Sequence, residues 1–395
     1  MAIAEKVQRS IEGSSWIRKM FEEGARLRAI YGDDQVFDFT IGNPSVEPPE
    51  AFRRELLNLA SNPQSGQHRY MSNAGYEETR AAVAAAVTAR GKTAVKAAQI
   101  VMTCGAGAAL NVIFKTILNP GDEVIILAPY FVEYKFYVDN HGGTTQEVWT
   151  DRDTFQLDLT AIAAAITSRT KAIIINSPNN PTGVIYPQSA LCALGDILTA
   201  KEKEFGQSIY VISDEPYARL AYDGHHVPPI FDCIKNCIIA TSHSKDLALP
   251  GERIGYIAAN PQMDDVDAFI EGAVFCNRVL GFVNAPALMQ RLVAKLQTES
   301  VDIAEYQLKR DLLYNHLNSL GFTLTKPDGA FYLFPRSPIA DDIAFVNQAQ
   351  EEKILLVPGT GFGAPGYFRI AYCIDIEIIR RSFPAWERLA KASGL

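Results

Sequence analysis

Short runs of branched aliphatic residues alternate with helix-forming segments through the middle of the chain. Residues 100–103, 123–127, 171–175, 209–213, 237–241 and 254–258 read as strands, and runs such as Ala172-Ile-Ile-Ile175 have no polar side. A strand that is apolar on both faces must be covered on both faces. Helical patterns at 108–118, 131–140, 159–166 and 190–205 lie between these strands and can supply the cover. The expected fold is therefore α/β, a mostly parallel sheet with helices on both faces. Ligands of such sheets bind beyond the carboxyl ends of the strands. Polar residues just after each strand are accordingly the first place to look for chemistry.

The flanking segments read differently. An amphipathic helix is expected over 14–31, with Leu27 and Ile30 among its apolar positions, and a strand over 36–41. Residues 77–90 are Ala-rich and helical. Beyond residue 264 the regular alternation stops. A largely helical stretch at 287–320, short strands at 323–325, 330–334 and 367–371, and a last helix at 376–391 suggest a smaller α+β unit. Residues 1–45 are expected to form an N-terminal arm and part of that small unit, 46–285 the large unit, and 286–395 the rest of the small one.

The 395 residues are 48% hydrophobic and 21% charged, ordinary values for a globular protein. The formal net charge of -8 argues against nucleic acid and against an anionic membrane surface as partners. Six scattered cysteines form no C-x-x-C pair and no zinc set, and they read as reduced, mostly buried thiols. The first residues carry charges where a secretory leader would be apolar, so the expected compartment is the cytoplasm.

The most informative segment is Ser242-His-Ser-Lys245, followed by Gly251, Arg253 and Gly255, directly after a strand. Two hydroxyls and a guanidinium in one loop suit a phosphate dianion, which accepts several hydrogen bonds. A lysine beside such a site can form a Schiff base with an aldehyde. Asp214 ends the strand before Glu215-Pro-Tyr217; taken alone it reads as a helix cap, and beside Lys245 as a partner for a protonated pyridine nitrogen. Asn180 sits in Asn-Asn-Pro-Thr-Gly, itself a turn former. Ala106 and Gly107 open a helix after Gly105, where backbone amides can meet an anion.

The spacing S-x-S-K-x-x-x-x-x-G-x-R-x-G, with the other motifs in order over nearly the whole chain, resembles the fold type I pyridoxal-phosphate aminotransferases of class I/II, of the aspartate aminotransferase kind. The resemblance implies pyridoxal 5'-phosphate bound to Lys245. Its phosphate would be held by Ser242, Ser244, Arg253 and the Ala106 and Gly107 amides. The ring would lie between Phe131, Asp214 and Tyr217, with Asn180 on its phenolic oxygen. Arg369, Asn180 and Gly42 would receive the substrate. Tyr70 would reach the phosphate of a neighbouring subunit in a homodimer. Amino transfer from an L-amino acid to a 2-oxo acid is the implied reaction, with Lys245 moving the proton.

Aspartate or glutamate is the first expectation for the donor, with Arg278 in the region where relatives place an arginine for a distal carboxylate. A hydrophobic or aromatic donor stays open, as does β-lyase, racemase or decarboxylase chemistry on the same site. A cofactor-sensing regulator would need a basic DNA-binding extension. A nicotinamide enzyme would need G-x-G-x-x-G, but Leu110 stands where its third glycine belongs.

Overall fold

The computed structural model describes residues 2–13 and 16–395. Its centre is a seven-stranded sheet of β1 (Ile100–Thr103), β2 (Glu123–Ala128), β3 (Thr144–Trp149), β4 (Thr170–Asn176), β5 (Tyr210–Asp214), β6 (Cys237–Ser242) and β7 (Gly255–Ala259). The spatial order is β1-β7-β6-β5-β4-β2-β3. Strands β3, β2, β4, β5 and β6 pair in parallel, and β7 runs antiparallel to both β6 and β1.

Alternation along the central strands divides the core between the two faces of the sheet. Ile125, Leu127, Ile173, Ile175, Val211 and Ile239 join one apolar cluster; Val124, Ile126, Ala172, Ile174, Ile212 and Ile238 join the other. Helices Glu77–Thr88, Gln188–Phe205 and Ala287–Lys295 contribute to the first face, and helices Ala106–Ile117 and Val266–Val279 to the second. Strand β3, at the sheet edge, is the polar one, as an edge strand should be.

The register brings the strand ends to one side. Asn176 pairs with Asp214, Asp214 with Ala240, and Ser242 and Thr103 both with Gly255. Because β7 is reversed, its first residue lies beside the last residues of β1 and β6. Arg253, two residues earlier, is delivered to the same edge.

A separate apolar cluster gathers Phe39 with Tyr306, Phe331, Phe345, Phe368 and Trp386. Its strands are short. Phe37–Asp38 pairs with Ile354–Leu355, and Phe368–Ala371 lies between Val357–Pro358 and Tyr332–Leu333. Helices Ile303–Ser319 and Ile376–Ala392 pack together beside them. No described helix is long and apolar enough to cross a membrane.

Several expectations need correction. The helix expected over 14–31 is observed as Trp16–Tyr31, and its expected start at residue 14 lies outside the described residues. Leu27 is buried but Ile30 is exposed, so the apolar stripe is narrower than the pattern suggested. Residues 323–325 form no strand; Arg336 N–H to the Thr323 carbonyl is their one sheet-like bond. Helices Glu50–Ser61 and Val266–Val279 were not anticipated.

The cysteines are not all free. Cys192 and Cys233 are joined, with their Cα atoms 4.4 Å apart across 41 residues of sequence, and the remaining four are thiols. Contact between helix Gln188–Phe205 and the turn at Ile230–Asp232 makes this possible. A β-carbon at Gly195 would strike the Cys233 carbonyl, so glycine there permits the backbones to touch.

Trp386 is fully buried, with its ring 5.9 Å from those of Phe39 and Phe322. Trp386→Ala should lower unfolding stability by about 3–5 kcal/mol. A denaturant midpoint equal to that of the parent protein would contradict the placement of this core.

Candidate active site

A cavity of about 350 Å³ opens at the carboxyl edge of the sheet. Of the residues singled out from the sequence, Gly42, Ala106, Gly107, Phe131, Asn180, Asp214, Tyr217, Ser242, Ser244, Lys245, Arg253 and Arg369 all line it. Tyr70 and Arg278 do not. Tyr70 is 88% exposed on the surface. Arg278 is also exposed, near the end of helix Val266–Val279, where it lies over the Phe275 ring at 5.4 Å. Arg278, the candidate for a distal carboxylate, is thus not brought to the cavity of its own chain.

One wall of the cavity is rich in hydrogen-bond donors. Ser242, the last residue of β6, and Ser244 beyond it stand with their hydroxyls 3.1 Å apart. Arg253 has a left-handed backbone (φ 51°), and its guanidinium donates to the Pro250 and Cys104 carbonyls. Opposite begins the helix Ala106–Ile117, with Gly105 as its cap at φ 85°. A β-carbon at Gly105 would come within 2.8 Å of the guanidinium. Glycine is thus required twice over, by its positive φ and by the approach of Arg253. Free amides at the helix start, two hydroxyls and one guanidinium make an anion cradle.

The floor carries a buried acid. Asp214 ends β5, and Tyr134, three residues past Phe131, donates to its Oδ2 at 2.5 Å. Oδ1 is buried without a partner. Burial pushes this carboxyl up to about 7; the Tyr134 hydrogen bond works against the rise, and neighbouring Glu215 adds to it. An unpaired buried carboxylate is costly, so a cationic partner at Oδ1 would stabilise the ionised form. Asn176 braces the acid by donating to the Asp214 carbonyl at 2.7 Å, and its own Oδ1 accepts from Asn180 N–H at 2.7 Å.

The roof comes from the second core. Arg369, 2% exposed, donates to Asn180 Oδ1 at 3.1 Å and to the Thr40 carbonyl, while its Nε has no partner. Its guanidinium lies over the rings of Tyr332 (4.6 Å) and Phe362 (4.8 Å). Tyr332 shares a hydrogen bond of 2.8 Å with Tyr217. A β-carbon at Gly42 would collide with the Tyr332 hydroxyl, which accounts for the glycine there.

Lys245 occupies the middle. Its Nζ donates to the Gly42 carbonyl at 2.6 Å. Burial pushes its amine down to about 8, opposed by Cys373 and reinforced by the charges of Arg369 and Arg253. The neutral amine, the form able to attack a carbonyl carbon or take a proton, is thereby populated closer to neutrality than in an ordinary lysine.

Sequence reasoning missed Tyr134, Asn176 and Tyr332. Asn176 was visible as a polar residue ending an otherwise apolar strand. Tyr134 and Tyr332 carried no signal that separates them from core tyrosines.

A profile of the family described as Aminotransferase class I and II matches residues 34–381. The chain is 34% identical over 364 residues to an aspartate/prephenate aminotransferase of Thermus thermophilus, covering 90% of each. It is 31% identical to an aspartate aminotransferase of Thermotoga maritima, covering 91% of this chain and 93% of that one. Among solved structures, an amino transferase of Eubacterium rectale superposes with a TM-score of 0.97 at 40% identity over the whole of both chains. A single mutant of the Thermus thermophilus aspartate aminotransferase gives 0.86 at 28% identity, covering 98% of this chain and 99% of that one.

In ligand-free protein, trinitrobenzenesulfonate should label Lys245 with a midpoint near pH 8, because it reacts only with the neutral amine and that form grows as pH rises through the depressed value. A midpoint at about 10.4, the value for a solvated lysine, would show that the amine is not buried as described.

Proposed function

This chain belongs to the class I and II aminotransferases, and from that premise we propose that Lys245 holds pyridoxal 5'-phosphate covalently and that a dicarboxylic amino acid is the donor. The protein is an aminotransferase, moving an amino group between an amino acid and a 2-oxo acid. The observation that carries the cofactor assignment is the unpartnered Asp214 Oδ1, buried on the same cavity as the anion cradle and Lys245. Such an atom calls for a cation, and a protonated pyridine nitrogen is one. Ser242, Ser244, Arg253 and the Ala106 and Gly107 amides would hold the phosphate, Phe131 would lie on the ring, and Tyr217 and Asn180 would meet its phenolic oxygen.

When bound, the cofactor supplies a conjugated cationic ring that accepts the electron pair left at the substrate Cα. The chain's own residues do the rest. Arg369 offers a planar two-pronged donor to the α-carboxylate, and Asn180, already 3.1 Å from it, adds a third contact. This grip directs the Cα–H bond toward Lys245. Its Nζ, as a neutral amine, would take that proton as a general base and give it back as a general acid. Tyr332 and Phe362 hold the guanidinium plane from behind and exclude water around it.

Lys245, Arg253 and Arg369 are the cations on this cavity among the described residues, and each already has a task. A distal carboxylate therefore needs a cation from elsewhere. Tyr70 and Arg278 belong to one exposed face: Asn277, next to Arg278, donates to the Asn73 carbonyl, and Asn284 to the Ser72 carbonyl. Phe275 (54%) and Val279 (50%) are exposed on the same helix. We take this face as the contact with a second copy of the chain, which would carry Tyr70 and Arg278 to the neighbour's cavity. A solution mass equal to one 43.4 kDa chain would remove that part of the assignment.

Borohydride reduction of reconstituted protein should leave a pyridoxyl group on Lys245, read by peptide mass mapping. No adduct at that residue would sink the cofactor assignment. In a panel of amino donors, aspartate and glutamate should be the best. Arg369→Lys should cut kcat/KM for every donor by roughly 30- to 150-fold, equivalent to about 2–3 kcal/mol for a charged hydrogen-bond pair. Arg278→Ala should raise KM for aspartate and leave that for phenylalanine unchanged; equal effects on both would refute the distal-carboxylate role.

A further inference from the structure

Phe131 and the helix that follows it, Glu133–Asn140, flank the candidate active site. Phe131 lines the cavity, and Tyr134 reaches its floor by donating to Asp214. Tyr137 stands three positions after Tyr134, so the two share one side of the helix. The Tyr137 side chain also lines the cavity. Unlike Tyr134, its hydroxyl has no hydrogen-bond partner among the described residues.

That hydroxyl lies against the anion cradle. A β-carbon at Gly107 would stand 3.1 Å from the Tyr137 oxygen. Gly107 is not one of the glycines held at positive φ, so its backbone would accept other residues. What glycine supplies here is room in front of the hydroxyl. Gly107 also belongs to the first turn of helix Ala106–Ile117, where amides have no partner inside the helix. The placement is braced. Asn111 donates to the Gly107 carbonyl at 2.8 Å, and its Oδ1 is 3.1 Å from Nε2 of His141, just past the end of the helix that carries Tyr137. Burial, with the charges of Glu133 and Asp214, pushes Tyr137 up to about 12, and Arg253 works against the rise. The hydroxyl therefore keeps its proton through the neutral range, as a donor must.

Resting on the assignment of pyridoxal 5'-phosphate to Lys245, we propose that Tyr137 is a further binding residue for the phosphate, its hydroxyl donating to a phosphate oxygen beside the Gly107 amide. A phosphate dianion accepts several hydrogen bonds, and those to an anion are stronger than those between neutral groups. A cofactor filling the cavity displaces the water that a half-buried hydroxyl would otherwise use. Left without a replacement, that hydroxyl would carry the cost of an unmade bond; the phosphate supplies the acceptor.

Tyr137→Phe keeps the ring and removes only the donor. Reconstituted holoenzyme dialysed against graded pyridoxal 5'-phosphate, and followed by its visible absorption, gives the dissociation constant. Tyr137→Phe should raise that constant by about tenfold or more, the fold-change for one hydrogen bond to a charged group. Pyridoxal, which has the same aldehyde but no phosphate, should bind parent and variant about equally. Equal retention of pyridoxal 5'-phosphate by parent and variant would overturn the proposal. So would a matching loss for pyridoxal, since packing of the ring and not a bond to phosphate would then be at work. If the parent forms no adduct at Lys245 on borohydride reduction, the cofactor assignment itself falls, and this proposal with it.

Discussion

Everything at the candidate active site depends on the register of parallel strands. Asn176, Asp214 and Ser242 end three neighbouring strands, and the pairing of Asn176 with Asp214 and of Asp214 with Ala240 fixes how far each reaches. A slip of one residue would turn each of these side chains to the opposite face. The register is strongly specified because both faces are apolar: Ile173 and Ile175 belong to one core, Ile174 to the other. The same alternation that fills the cores also sends Asp214 forward and Glu215 back.

The polar groups gathered at that edge are costly in isolation. Asp214 keeps one unpaired oxygen, Arg369 one unpaired nitrogen, and Lys245 a single carbonyl contact at Gly42. Burial acts on them in opposite directions, raising the acid to about 7 and lowering the amine to about 8. Both shifts bring the groups toward the range where protons exchange near neutrality. Unmet hydrogen-bonding capacity and shifted acidity have one cause, the removal of water from a site shaped for a polar guest.

Two cores meet over this site. The sheet supplies the floor and the anion cradle, while Gly42, Tyr332 and Arg369 arrive from the elements around Trp386 and Phe39. Arg369 bridges them, bonded to Asn180 on the sheet side and to Thr40 on the other. The position of Arg369 over the cavity is therefore coupled to how the second core sits on the first. Cys192 and Cys233 show the same dependence on packing elsewhere, since only the contact of a helix with a turn brings them together.

Short-range signals in the sequence were enough for the parallel sheet, for singling out the loop holding Ser242, Ser244, Lys245 and Arg253, and for Asp214 at the end of its strand. Local periodicity and turn chemistry act within a few residues, and these features are encoded at that range. Asn180 and Arg369 were singled out from their resemblance to family motifs, since locally the one reads as a turn residue and the other as an edge arginine. The remaining features needed the folded chain. Tyr134 became the partner of Asp214 across 80 residues, and Tyr332 that of Tyr217 across 115. Arg278 lay outside the cavity of its own chain, over the Phe275 ring. Such pairings are set by packing between distant elements, and a linear pattern carries no record of which surfaces will touch.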